Sequence, residues 1–209
     1  MPLLALMEHL VDCIALANSS ISGREALPAQ GIGGSESMPQ AKGEASLSEC
    51  EIRLARPEDE DRLQAIRRAA FAPIFASFRA LLGDEIYDLA QRRSDEAQEG
   101  LLTSLMTPDP TKALYVVESK SEIVGFVAVL LDRGSLVGEI GLNAVDPAHA
   151  GRGFGSAMYD FALTRMREAG MQVATVSTGG DPSHAAARHT YEKVGFDAVI
   201  PSVWMCRKL

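Results

Sequence analysis

Residues 136–177 read as a strand, a glycine-rich loop, a helix and a second strand, and no other stretch constrains the fold as much. Two strands joined through a helix run in the same direction, because parallel neighbours need a long crossover. The runs before this unit behave in the opposite way. Residues 112–119 and 122–132 are joined by the polar turn Ser119-Lys120-Ser121, and Arg133-Gly134-Ser135 leads into 136–145. Links that short make antiparallel hairpins. The expected core is a mixed sheet flanked by helices, antiparallel first and parallel at the crossover: an α/β (α+β) arrangement.

Other elements follow from local pattern. A short alternating strand is expected at 51–55. Arg56-Pro57-Glu58-Asp59 opens a helix; proline suits the first turn, and acids meet the positive end of the dipole. Leu63, Ile66 and Ala70 form its inner face, and further helical stretches are expected at 73–90 and 94–106. Phe71, Phe75, Phe78 and Tyr87 fall there at helical spacing, which favours core packing over lining a pocket. The crossover helix, over 156–169, carries Met158, Ala162, Met166 and Ala169 on one face. Only 13 residues follow Phe196, and Pro201 interrupts them. A short or fused pair of strands is expected there, ending at 203–208 with Cys206 packed inside.

Residues 1–50 read as an N-terminal extension to a globular domain at 51–209. Leu3, Leu6, Leu10 and Ile14 give a short amphipathic helix over 2–18, and the Ser-, Gly- and Pro-rich run at 19–49 is expected to be flexible. Glu8 and Asp12 interrupt the apolar stretch and no basic segment precedes it, which argues against a signal peptide. No apolar run reaches membrane-spanning length. A net charge of −8 disfavours nucleic acid and acidic membrane as partners. Cys13, Cys50 and Cys206 have neither zinc spacing nor a disulfide pattern, so a reducing, cytoplasmic setting is expected. His184 and His189 lack a third ligand, and no metal is expected.

The loop runs Ala150-Gly151-Arg152-Gly153-Phe154-Gly155-Ser156. Alternate glycines let the backbone turn sharply and approach a ligand. Free N–H groups at the start of the following helix suit a phosphate or pyrophosphate. A P-loop would need a lysine, and none is near. A dinucleotide fingerprint would need the third glycine one residue later, after an early strand. A protein binding NAD or ATP is therefore the weakest reading, and a glycine-rich turn without a ligand remains open on the loop alone.

With Val145-Asp146-Pro147 before it, the loop resembles the core motif of the GNAT superfamily of acetyl-CoA-dependent N-acetyltransferases. That motif is Gln/Arg-x-x-Gly-x-Gly/Ala after a strand ending Val-x-Pro; here Ala150 replaces the opening Gln or Arg. The segment Ala187-Arg188-His189-Thr190-Tyr191-Glu192-Lys193-Val194-Gly195-Phe196 is similar to the family's second signature. His184 stands where relatives often have Asn, seven residues before the tyrosine. The resemblance covers about residues 51–209.

The resemblance implies acetyl-CoA as co-substrate. Ala150, Gly151, Arg152, Gly153, Phe154, Gly155 and Ser156 would hold its pyrophosphate. The main chain of Asn143, Ala144 and Val145 would hold its pantetheine arm, and His184 would touch it in place of Asn. Tyr191 would give a proton to the departing thiolate, and the Val145 N–H would polarise the acetyl carbonyl. In the histone-acetylating branch a glutamate six residues before the matching valine is the base, and Glu139 has that spacing. Strand alternation places Glu139, Gly141, Asn143 and Val145 on one face. Other relatives carry the base after the next strand, where Asp181 stands; helix capping suits Asp181 equally. The acceptor would be a primary amine of a small molecule or a protein; dimers are common in the family, so a homodimer is one possible state, and the oligomeric state stays open. The substitutions at Ala150 and His184 leave an alternative, a non-catalytic module that binds acyl-CoA.

Overall fold

The computed structural model describes residues 50–209. The N-terminal helix and flexible segment expected within 1–49 lie outside the described residues. The strands are β1 (Cys50–Leu54), β2 (Lys112–Ser119), β3 (Glu122–Asp132), β4 (Val137–Val145) and β5 (Val173–Val176). They form one sheet in the order β1-β2-β3-β4-β5. β1 to β4 are antiparallel neighbours, and β4 pairs β5 in parallel. The antiparallel meander and the parallel crossover are both as expected.

Two helical layers cover the sheet. On one face, Leu63 and Ile66 of α1 (Glu60–Leu82) and Leu102 and Leu105 of α3 (Arg92–Leu105) pack on Leu114, Val116, Phe126, Ala128 and Ala144. On the other, Phe154, Met158, Tyr159, Ala162 and Met166 of α4 (Phe154–Glu168) and Tyr191 of α5 (Ala185–Lys193) pack on Val117, Val127, Val129 and Ile140. Full burial of each Val, Leu, Ile, Phe or Met among them contributes about 1.5–3 kcal/mol. The short α2 (Asp84–Ala90) links α1 to α3.

Three expectations fail for identifiable reasons. The break expected near Pro73 does not occur, and α1 runs unbroken from Glu60 to Leu82. Pro73 removes an N–H that the Ala69 carbonyl would accept. Both residues are exposed, so water can take that place. The crossover helix begins at Phe154 rather than Ser156, because Gly153 adopts the left-handed conformation that starts it. The tail forms no strand: residues 194–209 are without helix or strand, and Val199, Ile200, Val203 and Met205 are exposed. Cys206 is exposed rather than packed. Pro201 cannot donate to a ladder, and the segment is too short to build a hairpin on both sides of it. Lys208 instead reaches Glu85 of α2 at 2.6 Å.

Candidate active site

β4 and β5 part company halfway along β4. Their pairing ends at Ile140–Val176, while β4 continues to Val145 beside β3 alone. Residues 141–145 thus present a backbone edge with no strand on the β5 side. The β3–β4 register also shifts here: Val129 faces Ile140 but Val127 faces Asn143. Gly141 and Leu142 together oppose Ala128, a β-bulge.

The bulge corrects the expected face assignment. A side chain on Gly141 would meet Leu130 and Ala128 on the α1/α3 side, and one on Gly138 would meet Met166 of α4 on the other. Glu139 therefore shares the α1/α3 face with Gly141. Beyond the extra residue the alternation flips, and Asn143 and Val145 point toward α4 and α5. Regular alternation would have kept all four together.

Asn143 is the hub of the α4/α5 side. Its amide nitrogen donates to the Gly141 carbonyl at 2.8 Å and to the Tyr191 hydroxyl at 3.2 Å. Its amide oxygen accepts from the Tyr159 hydroxyl at 2.8 Å. The Tyr159 and Tyr191 rings lie 4.7 Å apart. Burial, with the neighbouring Tyr191 adding to it, pushes the Tyr159 phenol well above its ordinary range, so it stays protonated.

The glycine loop opens beside this hub. Gly151 and Gly153 have φ of 74° and 88°, and a side chain on Gly151 would meet nothing within 4 Å. Gly153 caps α4 without any side-chain bond, and the first turn carries no acid. Its early N–H groups are free for an anion. A Cβ on Gly155 would lie 3.6 Å from Thr190 and 4.0 Å from Val145, so the cradle starts against both β4 and α5. Phe154 is buried and Ala150 and Arg152 are exposed; Phe154 offers only its backbone to a ligand. This glycine-lined, uncapped helix start fits a pyrophosphate. Asp146 holds the turn before it, accepting from the Ala148 N–H at 2.9 Å and from Arg62 of α1 at 2.7 Å. His149 is only partly exposed, with its ring 6.2 Å from that of Phe154.

Two acids were candidates for a base. Glu139 sits between Leu130 and Thr175 on the neighbouring strands, and its carboxylate has no hydrogen-bond or ion-pair partner among the described residues. Burial pushes its pKa up. Asp181 is the opposite case. It accepts from the Ser183 N–H at 3.0 Å, the Ser183 hydroxyl, His184 Nδ1 at 2.5 Å and Ser77 of α1 at 3.0 Å. Burial alone would raise it, but these bonds from Ser183, His184 and Ser77 hold it down at about 2. Asp181 caps the turn before α5 and braces His184, whose ring stacks on Phe78 at 5.8 Å.

Tyr159, Arg62 and Ser77 escaped the sequence reading. A tyrosine at 159 lies beside the aliphatic stripe of α4, and that polar tip on a buried face was the available signal. Arg62 and Ser77 carried none, because their partners are 84 and 104 residues away. Phe75 and Tyr87 line a separate cleft of about 350 Å³ with Arg67, Arg79, Asp95 and Glu99. No group of three or more metal-ligating side chains occurs among the described residues.

The chain is similar to known proteins in sequence and in fold. The sequence model of the acetyltransferase (GNAT) family matches residues 77–196. The chain is 28% identical over 150 residues to a mycothiol acetyltransferase of Propionibacterium freudenreichii subsp. shermanii, covering 71% of this chain and 43% of the relative. It is 28% identical over 183 residues to a mycothiol acetyltransferase of Sanguibacter keddieii, covering 84% and 53%. The chain thus spans about half the length of these curated relatives. An aminoglycoside N-acetyltransferase in complex with CoA superposes with a TM-score of 0.54 at 12% identity, over 77% of this chain and 95% of that one.

Proposed function

The chain belongs to the acetyltransferase (GNAT) family, and on that premise we propose that it is an N-acetyltransferase moving the acetyl group of acetyl-CoA directly to a primary amine. The observation that carries this reading is the gap beyond Ile140–Val176, with Tyr191 and the open start of α4 on one side and unpaired Glu139 on the other. The glycine loop, Ala150 to Ser156, would hold the pyrophosphate through backbone N–H groups. The free edge at Asn143, Ala144 and Val145 would pair with the pantetheine arm, and His184 would contact it. The domain doing this is residues 51–209.

Each catalytic group has one task. An alkylammonium has a pKa near 10.4, so little free amine exists at neutral pH. Glu139, raised by burial, accepts the amine proton directly or through a water. The Val145 N–H polarises the acetyl carbonyl. As the N–C bond forms and the C–S bond breaks, the electron pair leaves on sulfur, and the Tyr191 O–H supplies the proton it takes. The bulge gives the two proton transfers opposite faces of one strand, so base and acid do not neutralise each other.

The acceptor we favour is a small-molecule amine, following the named activities of the relatives; the acidic chain suits a cationic one. A reducing, cytoplasmic setting fits the free thiols of Cys50 and Cys206. Thiol release from acetyl-CoA with a panel of small amines and peptides tests the activity. Tyr191→Phe and Glu139→Gln are each expected to lower kcat about 100-fold. Normal turnover by both at saturating substrates would remove these roles. Calorimetric binding of acetyl-CoA with no turnover on any amine would favour the acyl-CoA-binding alternative.

A further inference from the structure

Tyr191 can serve as a proton donor only if its hydrogen is not already committed elsewhere. Asn143 is the obvious competitor, since it lies against the same hydroxyl. Its orientation is fixed chemically: the atom 2.8 Å from the Gly141 carbonyl must be the amide nitrogen, because two carbonyl oxygens cannot bond each other. That nitrogen also donates to the Tyr191 oxygen at 3.2 Å, so Tyr191 acts as an acceptor toward Asn143.

The Asn143 oxygen is the remaining risk. Tyr159 occupies it at 2.8 Å, whereas Tyr191 stands 3.5 Å away, beyond the usual O–H···O range. Tyr159 reaches this position from α4, one helix away from Tyr191, with the two rings packed together. Its hydroxyl is buried, and a buried hydroxyl needs a partner.

We propose that Tyr159 is a positioning residue for proton transfer: by donating to the Asn143 amide oxygen it holds that amide with its N–H aimed at the Tyr191 oxygen, so that Tyr191 accepts from Asn143 and its own O–H points at the departing sulfur. Asn143 then stabilises the tyrosinate that remains, through the amide N–H it already directs at that oxygen. Removing the Tyr159 hydroxyl releases the Asn143 amide to turn, so that its oxygen closes on the Tyr191 hydrogen and draws it away from the reaction. This rests on the reading of Tyr191 as the donor.

A double-mutant cycle separates the two claims. Tyr159→Phe keeps the ring and loses one oxygen. It is expected to lower kcat about tenfold while KM for acetyl-CoA stays within about twofold. In the Tyr191→Phe background the same change is expected to cost nothing further, because the group it directs is gone. Equal losses in both backgrounds would make Tyr159 merely structural and overturn the proposal with the Tyr191 role intact. Full activity of Tyr191→Phe would remove the donor role and this proposal with it.

Discussion

Glu139 is held in a place that disfavours its charge. Burial raises its pKa and no partner offsets the cost. The folded protein therefore binds that proton more tightly than the unfolded chain does. Its contribution to stability is fully present below the usual glutamate range and is lost as pH rises through the raised value. Glu139→Gln is neutral throughout, so it is expected to melt higher than the wild type at pH 8, with the difference closing toward pH 4. Calorimetry at the two values checks this, and a variant less stable at pH 8 would refute it. Stability gained at the expense of activity marks a functional strain. The spacing of Glu139 from Val145 was legible in the sequence. Its face was not, because one inserted residue at Gly141–Leu142 reverses alternation without any local signature beyond a glycine.

Elements with a strong period were legible almost to the residue: β2 and β3 end where their polar turns begin. What the sequence hid is what depends on contacts across the fold, such as the continuation of α1 through an exposed Pro73 and the seating of the loop after β5. That loop is built around Gly179. A Cβ there would overlap His184 Nδ1 and lie 2.6 Å from Asp181 Oδ1. Arg188 closes the loop by donating to the Gly179 and Asp181 carbonyls, the second at 2.9 Å. Gly179→Ala is expected to push the His184–Asp181 pair out of place and to loosen the end of α1 that Ser77 ties to it. Hydrogen exchange should show faster exchange in 74–82 and 177–186, with the β2–β3 hairpin unchanged. Protection in 74–82 equal to that of the wild type would show that the alanine is accommodated without releasing α1.

Across the whole molecule, α1 is fastened to the sheet side by three carboxylates, all held below their usual range. Asp59, just before α1, is held down by hydrogen bonds from Arg53 of β1. Asp146, at the end of β4, is held down by the Ala148 N–H and then by Arg62 of α1. Asp181 binds Ser77 near the far end of the same helix. Arg53 and Asp59 are six residues apart, but Arg62–Asp146 and Ser77–Asp181 join residues 84 and 104 apart, so charge pattern alone could not reveal those two, although the layers they connect were legible from hydrophobic period. A depressed carboxylate contributes stability that is present above the unfolded value, near 3.8, and is lost as pH falls through the folded one. Glu139 and the buried Asp95 work in the opposite sense, but Asp88, Asp109 and Asp132 are held down as well, so lowered carboxylates outnumber raised ones. The protein is therefore expected to lose stability steeply between pH 4 and about 2, the value to which Asp181 is held. Asp181→Asn removes one of the three fastenings. It is expected to cost about 1–2 kcal/mol at pH 7, reduced from the full linkage value for solvent screening, and much less at pH 2.5. Urea unfolding at both values measures it. An equal deficit at the two would place the loss in packing rather than in the charge of Asp181.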